Sequence, residues 1–159
     1  MPASSHLIEA SAHELTWSDS LLLGFGPMDD THREFVTLIG TMQTAAVENL
    51  PGLLEALIIH VQAHFALEDE WMEKTDFPAR ECHMNEHAAV LKSVLMTRPL
   101  LVAGDVPRCR RLANELANWF PAHADYLDSA LSHWLCKLEF GGKPVVLRRN
   151  KQRVYAHGE

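Results

Sequence analysis

The sequence predicts an all-α fold: an up-down-up-down antiparallel four-helix bundle with an N-terminal arm and a short C-terminal tail. Three observations carry this. Four segments of similar length repeat apolar residues at helical spacing, no convincing strand alternation competes with them, and Pro, Gly and Asp punctuate the joins. With 159 residues, 47% of them hydrophobic, the chain can bury one core, and four amphipathic helices around one core form a bundle.

Residues 1–30 read as an arm packed on the bundle. Gly24, Gly26 and Pro27 interrupt any period there, while Trp17, Leu21, Leu23 and Phe25 supply apolar anchors. Asp29, Asp30 and Thr31 offer capping oxygens, so the first helix is expected from about Asp30 to Asn49, with Phe35, Leu38, Ile39, Met42 and Ala46 inward and Pro51-Gly52 as its stop. A second helix is expected from about Leu53 to Lys74, and a third from about Ala79 to Met96. Arg98-Pro99 should end the third and open the longest interhelical loop, to Pro107. The fourth should run from about Arg108 to Leu138 on Leu112, Leu116, Trp119, Phe120, Leu127, Leu131, Trp134 and Leu135, with Gly141-Gly142 as its stop. The bundle domain is thus 31–138 and the tail 139–159. Val145-Val146-Leu147 is strand-like but too short and isolated to change the class.

The net charge of -7 is unevenly spread: residues 137–159 hold six Lys/Arg against two acids, residues 1–136 eight against nineteen. An acidic body excludes nucleic acid as the expected partner. The N-terminus has no basic segment and its longest apolar run is Leu21-Leu22-Leu23, so no signal peptide or membrane association is expected and the chain reads as soluble and cytoplasmic, a monomer or weak oligomer. Cys82, Cys109 and Cys136 lack CxxC spacing, which argues against a disulfide framework or a thiolate zinc site.

Two stretches interrupt the apolar pattern with metal-ligand side chains. His64 and Glu68 are four residues apart, as are His83 and His87, so each pair shares a helix face one turn apart. Leu57 and Val61 lead into the first pair, and His87 runs on into Val90, Leu91 and Val94, so these polar groups lie on core-directed stripes. A buried imidazole or carboxylate needs a partner, and a metal ion is the most complete one. His32 on the first helix and His123 with Asp128 on the fourth complete a set to which every helix contributes, enough for two metals. His123 and Asp128 are five apart, about 140° around an ideal helix. Either the two reach a metal from different angles or the helix carries an i→i+5 bulge, for which the nearby Pro121 gives an opening. Glu86 and Asp125 are candidate acceptors for the far ring N–H of a ligand histidine. His60, one turn before His64, is placed to back a ligand or to be a spare ligand, but reads first as a partly exposed helix histidine.

Over about residues 15–135 the chain resembles the hemerythrin family, specifically single-domain bacterial hemerythrins. The resemblance rests on the arm with Trp17, on Met28-Asp29-Asp30-Thr31-His32, and on the H-x-x-x-E of His64 and Glu68. It extends to the H-x-x-E-H of His83, Glu86 and His87, and to Trp119-Phe120-Pro121-Ala122-His123 followed by Asp128. It implies that His83, His87 and His123 hold one Fe ion and His32 and His64 the other. Glu68 and Asp128 would bridge this di-iron centre together with an oxo or hydroxo group. The two-histidine iron keeps an open position, where O2 binds reversibly for oxygen storage, delivery or sensing, and the protein is then not an enzyme. Alternatives are a di-iron oxidase or peroxidase acting on O2, peroxide or nitric oxide, and an oxygen- or iron-sensing interaction module. Phe35, Phe65, Trp119, Phe120 and Ala124 are the candidates for the O2 pocket. Thr31, where many relatives have Gln, and Ala124, where a larger apolar residue is common, depart from the pattern and bear on O2 affinity and autoxidation.

Overall fold

A computed structural model of the chain describes residues 13–140, Phe140 by its backbone alone. The first twelve residues of the expected arm, the Gly141-Gly142 stop, the Val145-Val146-Leu147 run and the basic tail lie outside the described residues. Within them all regular structure is helical: α1 Gly26–Thr44, α2 Leu50–Lys74, α3 Arg80–Val102, then α4 Val106–His123, which passes through a π-helical turn, Ala124–Asp128, into α5 Ser129–Phe140. His123, Ala124 and Ser129 all keep right-handed helical angles, so α4, the π turn and α5 form one continuous fourth rod.

The helix ends differ from expectation for reasons that trace to proline. Pro27 and Pro51 both sit in first turns, where no N–H is needed, so α1 begins at Gly26 and Pro51-Gly52 opens α2 instead of stopping α1. α1 stops at Thr44, where Ala45 and Ala46 turn extended before a 3₁₀ turn, Val47–Asn49, feeds α2. Asp29 folds backward: its buried carboxylate accepts the N–H groups of Leu23 at 2.8 Å and Gly24 at 3.0 Å. Pro99 lies inside α3 on its exposed face, where a carbonyl released from the ladder can turn to water. The helix ends three residues later and Gly104 (φ 93°) reverses the chain, so the expected long loop shrinks to Ala103-Gly104-Asp105. Asp105 then caps α4 by accepting the Arg108 N–H at 3.1 Å.

α1 packs on α2 and α4, and α3 packs on the same two, giving a four-rod bundle with short connections. Val47–Lys74 is long and apolar enough to cross a membrane, but a core helix has the same character, and its Leu50, Leu54, Leu57, Ile58, Val61, Phe65 and Met72 are buried. Two apolar clusters fill the interior. The larger holds Phe35, Ile39, Leu57, Val61, Phe65, Val94, Leu116 and Phe120. The smaller holds Phe25, Met28, Met72, Phe77, Leu131 and Leu135. Along each rod the two clusters are separated by buried polar residues: His32, then His64 and Glu68, then His83 and His87, then His123 and Asp128. On the fourth rod the stripe slips by one residue in the π turn. Leu127 and Trp134, expected inward, are half-buried, and Asp128, Leu131 and Leu135 take the interior. Residues 13–17 lie along α1, where Gln43 accepts the Leu15 N–H at 2.7 Å and donates to the His13 carbonyl at 3.1 Å, and Arg33 covers the Trp17 ring at 4.9 Å.

Candidate metal centre

The polar layer brings together all seven expected side chains, each at most 4% exposed. Ligand atoms of Glu68, His83, His87, His123 and Asp128 lie within 4.8 Å of one another, and so do those of His32, His64 and Glu68. The two carboxylates divide their oxygens between the groups. Glu68 turns Oε2 toward His32 (3.2 Å) and His64 (2.8 Å), and Oε1 toward His87 (3.3 Å) and His83 (3.6 Å). Asp128 turns Oδ2 toward His32 (3.1 Å), and Oδ1 toward His83 (2.9 Å) and His123 (3.2 Å). The five-residue spacing of His123 and Asp128 is thus accommodated by the π turn, the second of the two geometries expected for it.

Of these close approaches only those of Glu68 Oε2, to His32 Nε2 and His64 Nε2, are hydrogen bonds among the described residues. Glu68 Oε1, both Asp128 oxygens and the Nε2 atoms of His83, His87 and His123 are buried, and among the described residues they have no hydrogen-bond partner. Isolated polar atoms of this kind cost about 1–3 kcal/mol each, and native interiors rarely keep so many together. Cations placed between converging imidazole nitrogens and carboxylate oxygens satisfy them all, so the donor set fits a pair of metal ions.

The far sides of three rings are anchored. His87 Nδ1 donates to Asp69 at 2.8 Å and His123 Nδ1 to Glu86 at 2.9 Å, and Glu86 also accepts the Trp119 indole N–H at 2.7 Å. With their protons held at Nδ1, both rings face the interior with the Nε2 lone pair. Asp125 is exposed and takes no such part. His60 is partly exposed as expected and is also placed behind a ligand, the alternative open to it, with its Nε2 3.2 Å from His64 Nδ1. Asp69 was missed for a plain reason: it sits beside Glu68, about 100° off the ligand face.

Without metal the cluster is strongly polarised. Burial opposes a charged His32, but Asp128 and Glu68 outweigh it and push the ring up to about 10. The same balance takes His83 to about 9, and Asp69 with Glu68 raises His87. Burial disfavours an ionised Glu68, but His64, His32 and His83 hold it well below the usual carboxylate range; Asp128 is held low by His123, His32 and His83 against burial and the nearby Glu68. Burial and the neighbouring His64 and His32 push His60 down to about 4.

The aromatic residues fall into two sets. Phe120 stands edge-on to His32, with centroids 5.1 Å apart, and Phe35 lies 5.9 Å from His64, so these two flank the two-histidine side. Phe65 stacks on His87 at 4.1 Å and 3°, and Trp119 lies over His123 at 4.2 Å, so these two back the three-histidine side. Ala124 is buried at the first position of the π turn.

Fold and site together define a metal-binding four-helix bundle lined by histidine and carboxylate. The family model for the Hemerythrin HHE cation binding domain matches residues 24–135, and the chain belongs to the hemerythrin family. It is 38% identical over 123 residues to a bacteriohemerythrin of Ralstonia nicotianae, covering 77% of this chain and 90% of that protein. Bacteriohemerythrins of Stenotrophomonas maltophilia (26% over 142 residues; 80% and 91% covered) and Pseudomonas paraeruginosa (27% over 134 residues; 78% and 86%) are also similar. No solved structure matches.

Proposed function

We propose that the chain binds two iron ions within the polar layer and uses them to bind O2 reversibly, in oxygen storage, delivery or sensing and without turnover. The observation that carries this is the division of Glu68 and Asp128, each giving one oxygen to a three-histidine group and the other to a two-histidine group. His83, His87 and His123 would hold one iron and His32 and His64 the other, with Glu68 and Asp128 shared between them. Such a pair of irons, when bound, would supply electrons to O2 and recover them on its release.

The chain's own part is to hold the ions and keep the site dry. Asp69 and Glu86 fix two ligand rings in their metal-binding tautomer. Phe35 and Phe120 cover the two-histidine side, and with the buried Ala124 they limit water beside the gas and so slow irreversible oxidation. Five imidazoles against two carboxylates favour reversible binding over the carboxylate-rich sets of di-iron oxidases.

The test is an iron count on anaerobically reduced protein, followed by visible spectra as air is admitted and removed. Two irons per chain and a band that comes and goes with O2 are expected. Rapid irreversible oxidation, or steady consumption of O2 or peroxide, would replace this reading with the oxidase one.

A further inference from the structure

Three of the five candidate ligand rings have an acceptor behind them, and one acceptor differs in kind. His87 and His123 lean on carboxylates, Asp69 and Glu86. His64 leans on a second imidazole: His60 Nε2 is 3.2 Å from His64 Nδ1, the rings meet at 76° with centroids 5.2 Å apart, and Phe35 packs on His60 at 6.0 Å. Behind His60, Glu34 places Oε2 3.6 Å from His60 Nδ1; the His60 side chain is 9% exposed and that of Glu34 73%.

Each neutral ring has one proton to place, so the choice at one ring fixes the next. If His64 presents the Nε2 lone pair to the interior, its proton is on Nδ1 and donates to His60. His60 must then accept at Nε2 and carry its own proton on Nδ1, the side facing the Glu34 carboxylate. The opposite order would put a proton on His64 Nε2, where a metal must bind. Glu34, at 3.6 Å and largely exposed, lies on the side that favours the first arrangement by its charge without hydrogen-bonding the ring.

We propose that His60 is the positioning residue for His64, fixing its metal-binding tautomer and, as a weaker acceptor than a carboxylate, making the two-histidine side the weaker iron site. The inference rests on the di-iron reading. A neutral imidazole draws less on the His64 proton than Asp69 or Glu86 draws on its partner, so His64 is the less basic ligand. The asymmetry between the sites thus lies behind the ligands as well as in their number.

Two measurements test this. In the metal-free chain Glu68 Oε2, 2.8 Å from His64 Nε2, competes for a proton there, so ring ¹⁵N spectra are read on the zinc-loaded chain, where His60 should show an unprotonated Nε2 and a protonated Nδ1; the reverse tautomer overturns the proposal. In anaerobic ferrous titrations, His60→Leu, which has no acceptor, should weaken the second iron about 10–100-fold and leave the first unchanged. His60→Gln, whose amide oxygen can accept the same proton, should recover most of that loss. A Leu variant that takes both irons with wild-type affinity, or a Gln variant that falls as far as Leu, overturns the proposal. If the wild-type chain takes up no second iron, the di-iron reading fails instead, and the ring spectra still decide the role of His60.

Discussion

At the scale of single residues, protons and metal ions compete for the same atoms. In the metal-free chain His32 is pushed up to about 10 and His83 to about 9, against an ordinary 6.5. A raised histidine contributes stability that is fully present below 6.5 and lost as pH rises through the folded value. The metal-free bundle should therefore melt at progressively lower temperature as pH rises from about 6.5 to about 10, measured by circular dichroism. Iron loading at pH 7 should expel a proton from each of these two rings, read with a pH indicator under anaerobic conditions, and iron affinity should rise with pH over the same range. Loading without proton release would remove His32 and His83 from the ligand set. The seven candidate ligands were legible in the sequence because helical spacing decides which side chains share a face. Asp69 was not, and His60 only as a lesser alternative, because each acts on the far nitrogen of a ring, and the rotamer that aims that nitrogen leaves no trace in the spacing.

At the scale of elements, the four rods were legible from their apolar period, and their ends were not. Pro27 and Pro51 were read as interruptions although a first turn accommodates proline, and Pro99 was read as a stop although α3 continues past it on its exposed face. The attachment of residues 13–17 depends on a close approach no pattern reports: a Cβ on Gly40 would stand 2.5 Å from the Leu15 carbonyl oxygen. Gly40→Ala should therefore push this segment off α1 and cost about 1–3 kcal/mol, seen as a Tm lower by several degrees and faster proteolysis around Leu15. Gly52→Ala is the control, since a Cβ there meets nothing within 4 Å, and it should be neutral or stabilising.

At the scale of the whole molecule, two apolar cores are stacked end to end with the polar layer between them, and every rod must keep step through all three. Three rods do so as ordinary α-helices. The fourth holds His123 and Asp128 in one layer only because the π turn accommodates one more residue than a regular helix would. The sequence showed this as a misfit of about 140° and could not choose between a bulge and divergent reach, because backbone hydrogen bonding does not follow from side-chain period. Deleting the exposed Tyr126 removes no side chain from either core or from the layer. It brings His123 and Asp128 from five residues apart to four, a spacing that a regular α-helix carries on one face, so the shortened rod can close the π turn and keep both α4 and α5 in phase. The deletion is therefore expected to keep its iron, whereas one alanine inserted after Tyr126 adds a residue the turn cannot absorb and should lose iron as completely as Asp128→Ala, with helix content near wild type in both; iron lost on deletion, or kept on insertion, would overturn this. The length of this rod is thus inherited information about coordination, and the in-frame gain of a single codon in the turn should abolish the centre with every ligand still encoded and intact.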